Sequence, residues 1–391
     1  MSTESGNAPP KHRRALSNVG GAAERVGDRE MAEELGRAFE EATDPDAGRE
    51  HIHGFHSYPA RLHPVLARTL IARLSPPGGA VLDPFCGSGT VLVEARLQGR
   101  WALGVDLNPL AVRLARLRSQ GRPAAAREAL LARAREVSAL ADDRRLRRVG
   151  ASRRYPAEDT ALFAPHVLLE LDGLRVGIEA TEDRAVRADL ELVLSSILTK
   201  LSQRAGDSAV GETLKRISAG FAARHFAARA DELTRQLEAY ENLLPEGAPA
   251  SNAIEADARA LPPLGPFDLA ITSPPYPGNY DYLHHHELRL RWLGLDARAF
   301  AGGEVGARRH LEATSPTDAR ARWMAQLGSV LSSVRSRLKP GGRAVLVLAD
   351  SVVSGRPFYN DDLVAEVAPH SGLTVMARAS QERPHFHGPS A

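Results

Sequence analysis

The 391-residue sequence contains a single cysteine, Cys86. One thiol cannot form an internal disulfide or supply the several cysteines of a zinc ribbon, so neither kind of cross-link is available. Long apolar runs are also lacking, because stretches such as 344–349 are strand-sized and far short of the roughly 20 residues that span a bilayer. No secretory signal begins at Met1. We therefore expect a soluble, cytoplasmic protein without a membrane partner.

The sequence has little excess of either charge. The formal net charge is only +2, which does not by itself indicate nucleic-acid binding, although a near-neutral total can conceal a basic face. With 43% hydrophobic and 25% charged residues, a chain of this length can bury a large core and form about two or three domains.

Composition changes along the chain and suggests its organisation. Residues 1–48 mix Gly, Pro, Ser and charged residues, which predicts a flexible N-terminal arm with one helix-like patch, Arg29 to Ala42. Residues 121–250 consist of Ala-, Leu-, Arg- and Glu-rich segments with helical spacing and few strand-like runs. The flanking segments, 49–120 and 251–391, alternate between strand-like and helix-like patterns.

The segment Ala80 to Val93 has the pattern of a buried strand, a glycine turn and a helix. This pattern is typical of the first βα unit of a Rossmann-like sheet. Gly87 and Gly89 let the backbone approach a ligand closely, and Thr90 is placed to open the helix. A phosphate-binding P-loop is the competing interpretation, but it requires a lysine that this segment lacks.

A second strand pattern, Trp101 to Asp106, also ends in an acid. Asp106 follows Asp83 by 106 − 83 = 23 positions, close to the spacing of about 20 for a carboxylate that accepts ribose hydroxyls. Asn108 and Pro109 then open a helix. The alternative is that Asp106 is a simple helix cap, but two strand-end acids together favour a nucleoside site.

The segment Asp268 to Tyr276 is an apolar strand pattern that runs into the sequence Ser273-Pro274-Pro275-Tyr276. Two prolines fix their φ angles and remove two backbone donors, which leaves nearby carbonyls free to accept hydrogen bonds from a ligand amine. Ser273 adds a side-chain acceptor, and Tyr276 adds a flat face on which a base can stack.

These motifs together resemble those of S-adenosylmethionine-dependent DNA amino-methyltransferases. Ser273 to Tyr276 is similar to the [DNS]-P-P-[YFW] motif of enzymes that methylate exocyclic amines, and its S-P-P-Y form looks most like that of N4-cytosine methyltransferases. Asp83 to Thr90, D-P-F-C-G-S-G-T, resembles their motif I. His56 to Arg61 is similar to an H-x-Y-P-A-[KR] segment that precedes the cofactor strand.

The resemblance implies an α/β fold, a Rossmann-like class I methyltransferase sheet with a large helical insertion. Residues 49–120 would be the cofactor-binding half, 121–250 a target-recognition insertion and 251–391 the catalytic half. S-adenosylmethionine would be the cofactor and DNA the partner. The residues implied to hold the cofactor are Tyr58, Asp83, Phe85, Gly87, Ser88, Gly89, Thr90, Asp106, Asn108 and Asp257.

The implied reaction is methylation of an exocyclic amine, most simply cytosine N4, with Ser273, Pro274, Pro275 and Tyr276 as the catalytic residues. Methylation at a ring carbon requires a cysteine nucleophile, and Cys86 lies inside the glycine turn, which argues against that chemistry. Adenine N6 methylation, RNA or protein-glutamine methylation, and a catalytically silent nucleic-acid-binding protein stay open as alternatives. DNA is favoured over RNA because no appended RNA-binding module is recognisable, and a restriction endonuclease stays open as a partner.

Two further patterns concern possible ligands. Basic residues of the insertion, Arg147, Arg148, Lys200 and Arg204 among them, are candidates for phosphate contacts. The run His284 to His286 suggests a metal site, but adjacent helical residues point to different faces and no carboxylate–histidine spacing accompanies them. We therefore predict no metal ligand from the sequence.

Overall fold

A computed structural model describes residues 22–44, 46–204 and 215–381 of the chain. Its strands are β1 (Glu24–Gly27), β2 (Ala80–Asp83), β3 (Trp101–Asp106), β4 (Asn252–Glu255), β5 (Phe267–Thr272), β6 (Leu338–Leu346), β7 (Ser351–Val353), β8 (Arg356–Phe358) and β9 (Ala377–Ser380). The first helices are α1 (Arg29–Glu41), α2 (Pro64–Leu74), α3 (Thr90–Leu97), α4 (Pro109–Gln120), α5 (Ala124–Leu146), α6 (Ala157–Leu162) and α7 (Pro165–Glu179). The others are α8 (Arg184–Leu201), α9 (Phe221–Leu243), α10 (Tyr282–Trp292), α11 (Arg298–Gly303), α12 (Arg308–Leu311), α13 (Pro316–Arg335) and α14 (Asn360–Val367).

Five parallel strands form the central sheet, in the order β4-β3-β2-β5-β6. Central strands such as β2 and β5 are apolar along most of their length because helices cover both faces of the sheet. Strand order reverses between β2 and β5, and in open α/β sheets ligands bind at the carboxyl ends of the strands beside such a reversal. The predicted Rossmann-like α/β fold class is confirmed.

Helices α5 to α9 lie in sequence between α4 and β4, where the helical insertion is predicted. They do not enclose a core of their own. Residues from these helices, such as Leu171 and Leu233, belong to the same buried cluster as Leu114 of α4 and Leu288 of α10. Because one apolar core spans the boundary, the insertion is packed onto the flank of the sheet.

The predicted flexible arm, residues 1–48, differs from the structure over its second half. Strand β1 pairs antiparallel with β9, and Arg25 of β1 donates to Glu40 of α1 at 2.9 Å. Ala38 and Ala42 pack in a core cluster with Leu70 of α2. Small residues let α1 lie close to α2, an effect that the Gly- and charge-rich composition conceals. Residues 1–21 of the predicted arm lie outside the described residues.

Strand β9 begins at Ala377 and does not join the central sheet, because it pairs antiparallel with β1, with Gly27 beside Ala377. In the described part of the chain, no helix is long and apolar enough to cross a membrane.

The packing of α1 predicts that a charge on its buried face destabilises the protein. Ala38→Lys should lower the free energy of unfolding by at least about 3 kcal/mol, because it buries an ammonium group without a partner. Glu30→Lys introduces the same side chain at an exposed position of α1 and serves as the control. Urea denaturation measures both. Equal stability of the two variants would mean that this segment is a flexible arm in solution.

Candidate functional site

Asp83 ends β2 at the point where the strand order reverses. Its carboxylate accepts a hydrogen bond from the Thr272 hydroxyl at 2.7 Å and from the Phe85 amide at 3.2 Å. Thr272 ends β5, so this bond joins the ends of the two strands that carry the glycine turn and the Ser-Pro-Pro-Tyr segment. Burial raises the pKa of Asp83 to about 7, because the charged carboxylate is poorly solvated there.

Asp106 ends β3 and holds the glycine turn in place. One carboxylate oxygen accepts from the Gly87 amide at 2.9 Å and the other from the Asn108 amide at 2.8 Å. Burial raises the pKa of Asp106 to about 6. Gly89 has a φ of +89°, and a Cβ there would lie 2.8 Å from the Ala115 Cα. The turn therefore requires glycine at position 89 for both conformation and space.

Two adjoining clefts open at these strand ends. The larger has a volume of about 620 Å³, and its walls include Tyr58, Phe85, Asp106, Asp257 and Pro275. The smaller has a volume of about 310 Å³, and its walls include Asp83, Gly87, Ser88 and Thr90. Ser273 borders both clefts.

Two predicted cofactor residues do not border either cleft. Gly89 packs against α4, and Asn108 is fully buried, where its side chain caps α4 by accepting from the Leu110 amide at 3.0 Å. Their assignment as cofactor residues stays a prediction. Both residues lie behind the cleft walls and support the backbone of the glycine turn and of α4. Asp257 borders the larger cleft, but its carboxylate already pairs with Arg259 at 2.6 Å.

The Ser-Pro-Pro-Tyr segment follows β5 directly. The Ser273 hydroxyl and the Tyr276 hydroxyl lie 2.9 Å apart in a hydrogen bond. Within the described ranges, the carbonyl oxygens of Ser273, Pro274 and Pro275 accept no hydrogen bond from the protein. Tyr276 is half-buried, and burial raises the pKa of its hydroxyl. The segment thus presents backbone acceptors beside a fixed aromatic ring.

Tyr58 forms the wall opposite the glycine turn. Its ring stacks on His286 with a centroid separation of 4.6 Å, and its hydroxyl accepts from Asn108 at 3.3 Å. The ring lies over Gly87, where an added Cβ would be 3.3 Å away. Tyr58 therefore packs against the turn, and its role in cofactor binding stays a prediction.

Sequence reasoning missed Arg118, which fixes the loop before Tyr58. Its guanidinium is fully buried and donates to the Ser88 hydroxyl at 2.6 Å, to the His56 carbonyl at 3.1 Å and to the Phe55 carbonyl. Burial lowers the pKa of Arg118. An arginine near the end of an amphipathic helix is normally exposed, so no pattern in the sequence identifies this role.

Sequence reasoning also missed one wall of the larger cleft. Tyr282, Phe300 and Glu304 border it and come from the segment after the Ser-Pro-Pro-Tyr motif. Glu304 accepts from the Tyr282 amide at 2.7 Å and pairs with Arg309 at 2.5 Å. Burial raises the pKa of Glu304. The tyrosine density of residues 276–282 was the available signal.

The histidine run does not converge on one point. His284 is exposed, and its ring faces Glu287 at 3.6 Å, whereas His286 is buried against Tyr58. Adjacent positions on α10 therefore place these rings in different surroundings, as helical geometry requires.

Most arginines in the last turn of α5 and in the loop after it pair with acids of the same chain. The pairs are Arg144 with Asp172 at 3.1 Å, Arg145 with Asp142 at 2.8 Å, Arg147 with Asp143 at 3.3 Å and Arg153 with Glu179 at 2.6 Å. Arg148 and Arg154 are exposed, and no ion pair involves them within the described ranges. Lys200 is exposed near the end of α8, whereas Arg204 lies beyond the helix.

The buried carboxylates that border the clefts suit a cationic nucleoside ligand. Asp83 and Asp106 are acids whose burial disfavours their charge, and a ligand that brings positive charge or hydroxyl donors would offset that cost. Residues 24–117, which contain both acids, match the family model described as DNA methylase. This part of the chain is therefore similar to DNA amino-methyltransferases. Members of this family use S-adenosylmethionine as methyl donor, so the predicted family and cofactor are confirmed.

Curated relatives match short segments of this chain. The type II methyltransferase M.MjaII of Methanocaldococcus jannaschii is 34% identical over 71 residues, which are 18% of this chain and 13% of the relative. M.MvaI of Kocuria varians is 42% identical over 65 residues, 16% of this chain and 14% of the relative. M.XycI of Xanthomonas campestris pv. cyanopsidis is 42% identical over 79 residues, 20% and 24% respectively. The matches thus span less than a quarter of each of these relatives.

The raised pKa values predict that S-adenosylmethionine binding strengthens with pH. Below their pKa values of about 6 and 7, Asp106 and Asp83 are protonated and neutral, so they attract the cofactor's cationic and hydroxyl groups less. Affinity should therefore rise between about pH 5.5 and about pH 8, by up to about tenfold per unit for each linked carboxyl. Calorimetry measures the dissociation constant across this range.

Asp83→Asn is the control variant, because it removes the group that titrates near pH 7 while keeping an acceptor for Thr272. Its affinity should be weaker and should lose the upper part of the pH dependence. A wild-type affinity that does not change with pH would contradict the assignment of these two acids.

Proposed function

We propose that this protein transfers a methyl group from S-adenosylmethionine to an exocyclic amine of a DNA base, with cytosine N4 as the preferred target. The observation that carries the proposal is the position of Ser273, which borders both the cleft that contains Asp83 and the larger cleft beside Pro275. A donor held at the glycine turn and an amine held by the Ser-Pro-Pro-Tyr segment would therefore meet at this residue.

The acceptors of the segment suit an amine nucleophile. An exocyclic amine is poorly nucleophilic because its lone pair is delocalised into the ring. The Ser273 hydroxyl and the Pro274 carbonyl would accept the two amine hydrogens and favour the pyramidal nitrogen in the transition state. When bound, S-adenosylmethionine supplies a methyl group on a sulfonium whose leaving group is a neutral thioether. The residues of this chain therefore act mainly by positioning.

The environment of Cys86 supports nitrogen over ring carbon as the methyl acceptor. Carbon methylation needs a thiolate that adds to the base. Cys86 is buried in the turn after β2, and burial raises the pKa of its thiol well above the ordinary range. It therefore remains an unreactive thiol.

Access to a base in duplex DNA requires that the base leave the helical stack. Tyr276 would stack on the flipped base, with its orientation fixed by the hydrogen bond to Ser273. The family model that residues 24–117 match is described as DNA methylase, which supports DNA as the substrate. Serine at position 273 favours cytosine N4, and adenine N6 is the competing outcome.

Variants of the segment separate its two roles. Ser273→Ala should lower turnover at least about tenfold while cofactor affinity changes little, because the missing acceptor matters most in the transition state. Tyr276→Ala should weaken base capture by about 1 to 3 kcal/mol. Tyr276→Phe is the matched control, since it removes only the hydroxyl and keeps the stacking face. Steady-state kinetics and cofactor calorimetry give the required constants.

Nucleoside mass spectrometry of DNA and RNA incubated with the protein and S-adenosylmethionine tests the product. We expect N4-methylcytosine in DNA. N6-methyladenine would keep the amine chemistry and correct the base. Methylation only at a ring carbon, only on RNA or only on protein would overturn the proposal, as would cofactor binding without any transfer.

We also propose that the exposed cations Arg148, Arg154 and Lys200 bind DNA phosphates. Their combined replacement by alanine should lower the salt dependence of DNA binding, by about 0.9 in the logarithmic slope for each phosphate that the variant no longer neutralises. The control replaces three exposed arginines outside the insertion, Arg298, Arg320 and Arg356. Fluorescence anisotropy at several salt concentrations measures the slope. An unchanged slope would mean that the insertion surface is only solvated.

A further inference from the structure

Two histidines and a glutamate meet at the base of the loop that carries Tyr58. His51 and His53 lie on a short 3-10 helix (His51–Gly54), and Glu94 comes from α3. One ligand atom from each of the three lies within 4.8 Å of the others. The two imidazole rings are 4.8 Å apart between centroids, and His53 Nε2 lies 2.8 Å from Glu94 Oε1.

The cluster contains buried nitrogen atoms without a partner. The Nδ1 atoms of His51 and His53 are both shielded from solvent, and within the described ranges neither makes a hydrogen bond. A buried polar atom without a partner costs about 1 to 3 kcal/mol of folding free energy. The presence of such atoms in this cluster calls for an explanation such as an ion. His51 also has a φ of +32°, an unfavourable conformation for a residue with a side chain.

Glu94 is already oriented by its surroundings. Its second oxygen, Oε2, accepts from Arg68 Nε at 2.8 Å. Arg68 Nη2 also donates to Oε1, at the longer distance of 3.4 Å, so the two contacts fix the plane of the carboxylate while Oε1 faces His53. Partners of this kind orient the ligands of metal sites.

We propose that His51, His53 and Glu94 bind one divalent transition-metal ion with the coordination chemistry of zinc. Two imidazole nitrogens and one carboxylate oxygen form a donor set that zinc uses, whereas magnesium and calcium require mostly oxygen ligands. Three protein ligands leave a fourth tetrahedral position for water. Binding requires the Nε2 proton of His53 to move to Nδ1, which frees Nε2 to hold the ion together with Glu94 Oε1.

The position of the ion gives it a structural role. It would join the 3-10 helix that precedes Tyr58 to α3, the helix that begins at the glycine turn. The His51 ring also stacks on Tyr240 of α9, with centroids 6.0 Å apart. One ion would therefore connect the Tyr58 loop, the cofactor turn and the helical insertion.

Metal titration of the untagged, chelator-treated full chain tests the proposal. Co²⁺ should bind with a stoichiometry of one and give the visible absorption of a tetrahedral site, and Zn²⁺ should displace it. Calorimetry gives the affinities. Zn²⁺ should also raise the melting temperature of the wild-type protein, because it binds only the folded chain.

His51→Phe is the decisive variant. Phenylalanine keeps the ring against Tyr240 and leaves the contacts among His53, Glu94 and Arg68 in place, but it removes one ligand. Metal affinity should fall at least about tenfold. His284→Phe makes the same exchange at an exposed histidine and should bind metal like the wild type. If His51→Phe fails to fold, as judged by circular dichroism, His51→Ala replaces it.

Three outcomes would overturn the site. The wild-type protein could fail to bind Co²⁺ or Zn²⁺ stoichiometrically, in which case Glu94 is only the counter-ion of Arg68 and His53. His51→Phe could bind as tightly as the wild type. Loss of binding in His284→Phe with retention in His51→Phe would place the metal at the histidine run of α10.

Discussion

The parallel pairing of β2 with β5 places Val81 beside Leu269, although all helices from α3 to α9 lie between these residues in sequence. At the end of this pair the Thr272 hydroxyl donates to Asp83. The glycine turn follows one strand and the Ser-Pro-Pro-Tyr segment follows the other. Both clefts exist because these two segments leave the same edge of the sheet side by side, so a shift in register would separate them.

Buried polar groups attach the insertion to this edge. His56 Nε2 lies 2.9 Å from the Ser195 hydroxyl of α8, and Arg289 of α10 donates to the Ser57 hydroxyl at 3.0 Å. Both contacts involve the loop that carries Tyr58, which Arg118 holds from the other side. Such networks are rigid when their members are satisfied. A displacement of the insertion would therefore be transmitted to the Tyr58 wall of the two clefts.

The acids of the site are kept in an environment that disfavours their charge. Burial raises the pKa of Asp83, Asp106 and Glu304, and all three border the clefts. By contrast, hydrogen bonds from Arg298 lower the pKa of the exposed Asp296 to about 2, and the pKa of Asp257, which pairs with Arg259 in the larger cleft, is also lowered. Perturbed acids in a cleft are typical of functional sites. The free energy that they cost the unliganded fold is recovered when a complementary ligand binds.

The sequence alone determined the fold class, the order of its elements and the two motifs, because apolar periodicity, the glycine turn and the Pro-Pro tip are local features of the chain. The catalytic and cofactor assignments stay predictions, and Asn108 lies behind the cleft because helix capping decided its orientation. Packing decided the rest. Contacts between segments far apart in sequence decide that α1 is packed, that Arg118 is buried and that His51 lies near Glu94. No local pattern encodes these contacts.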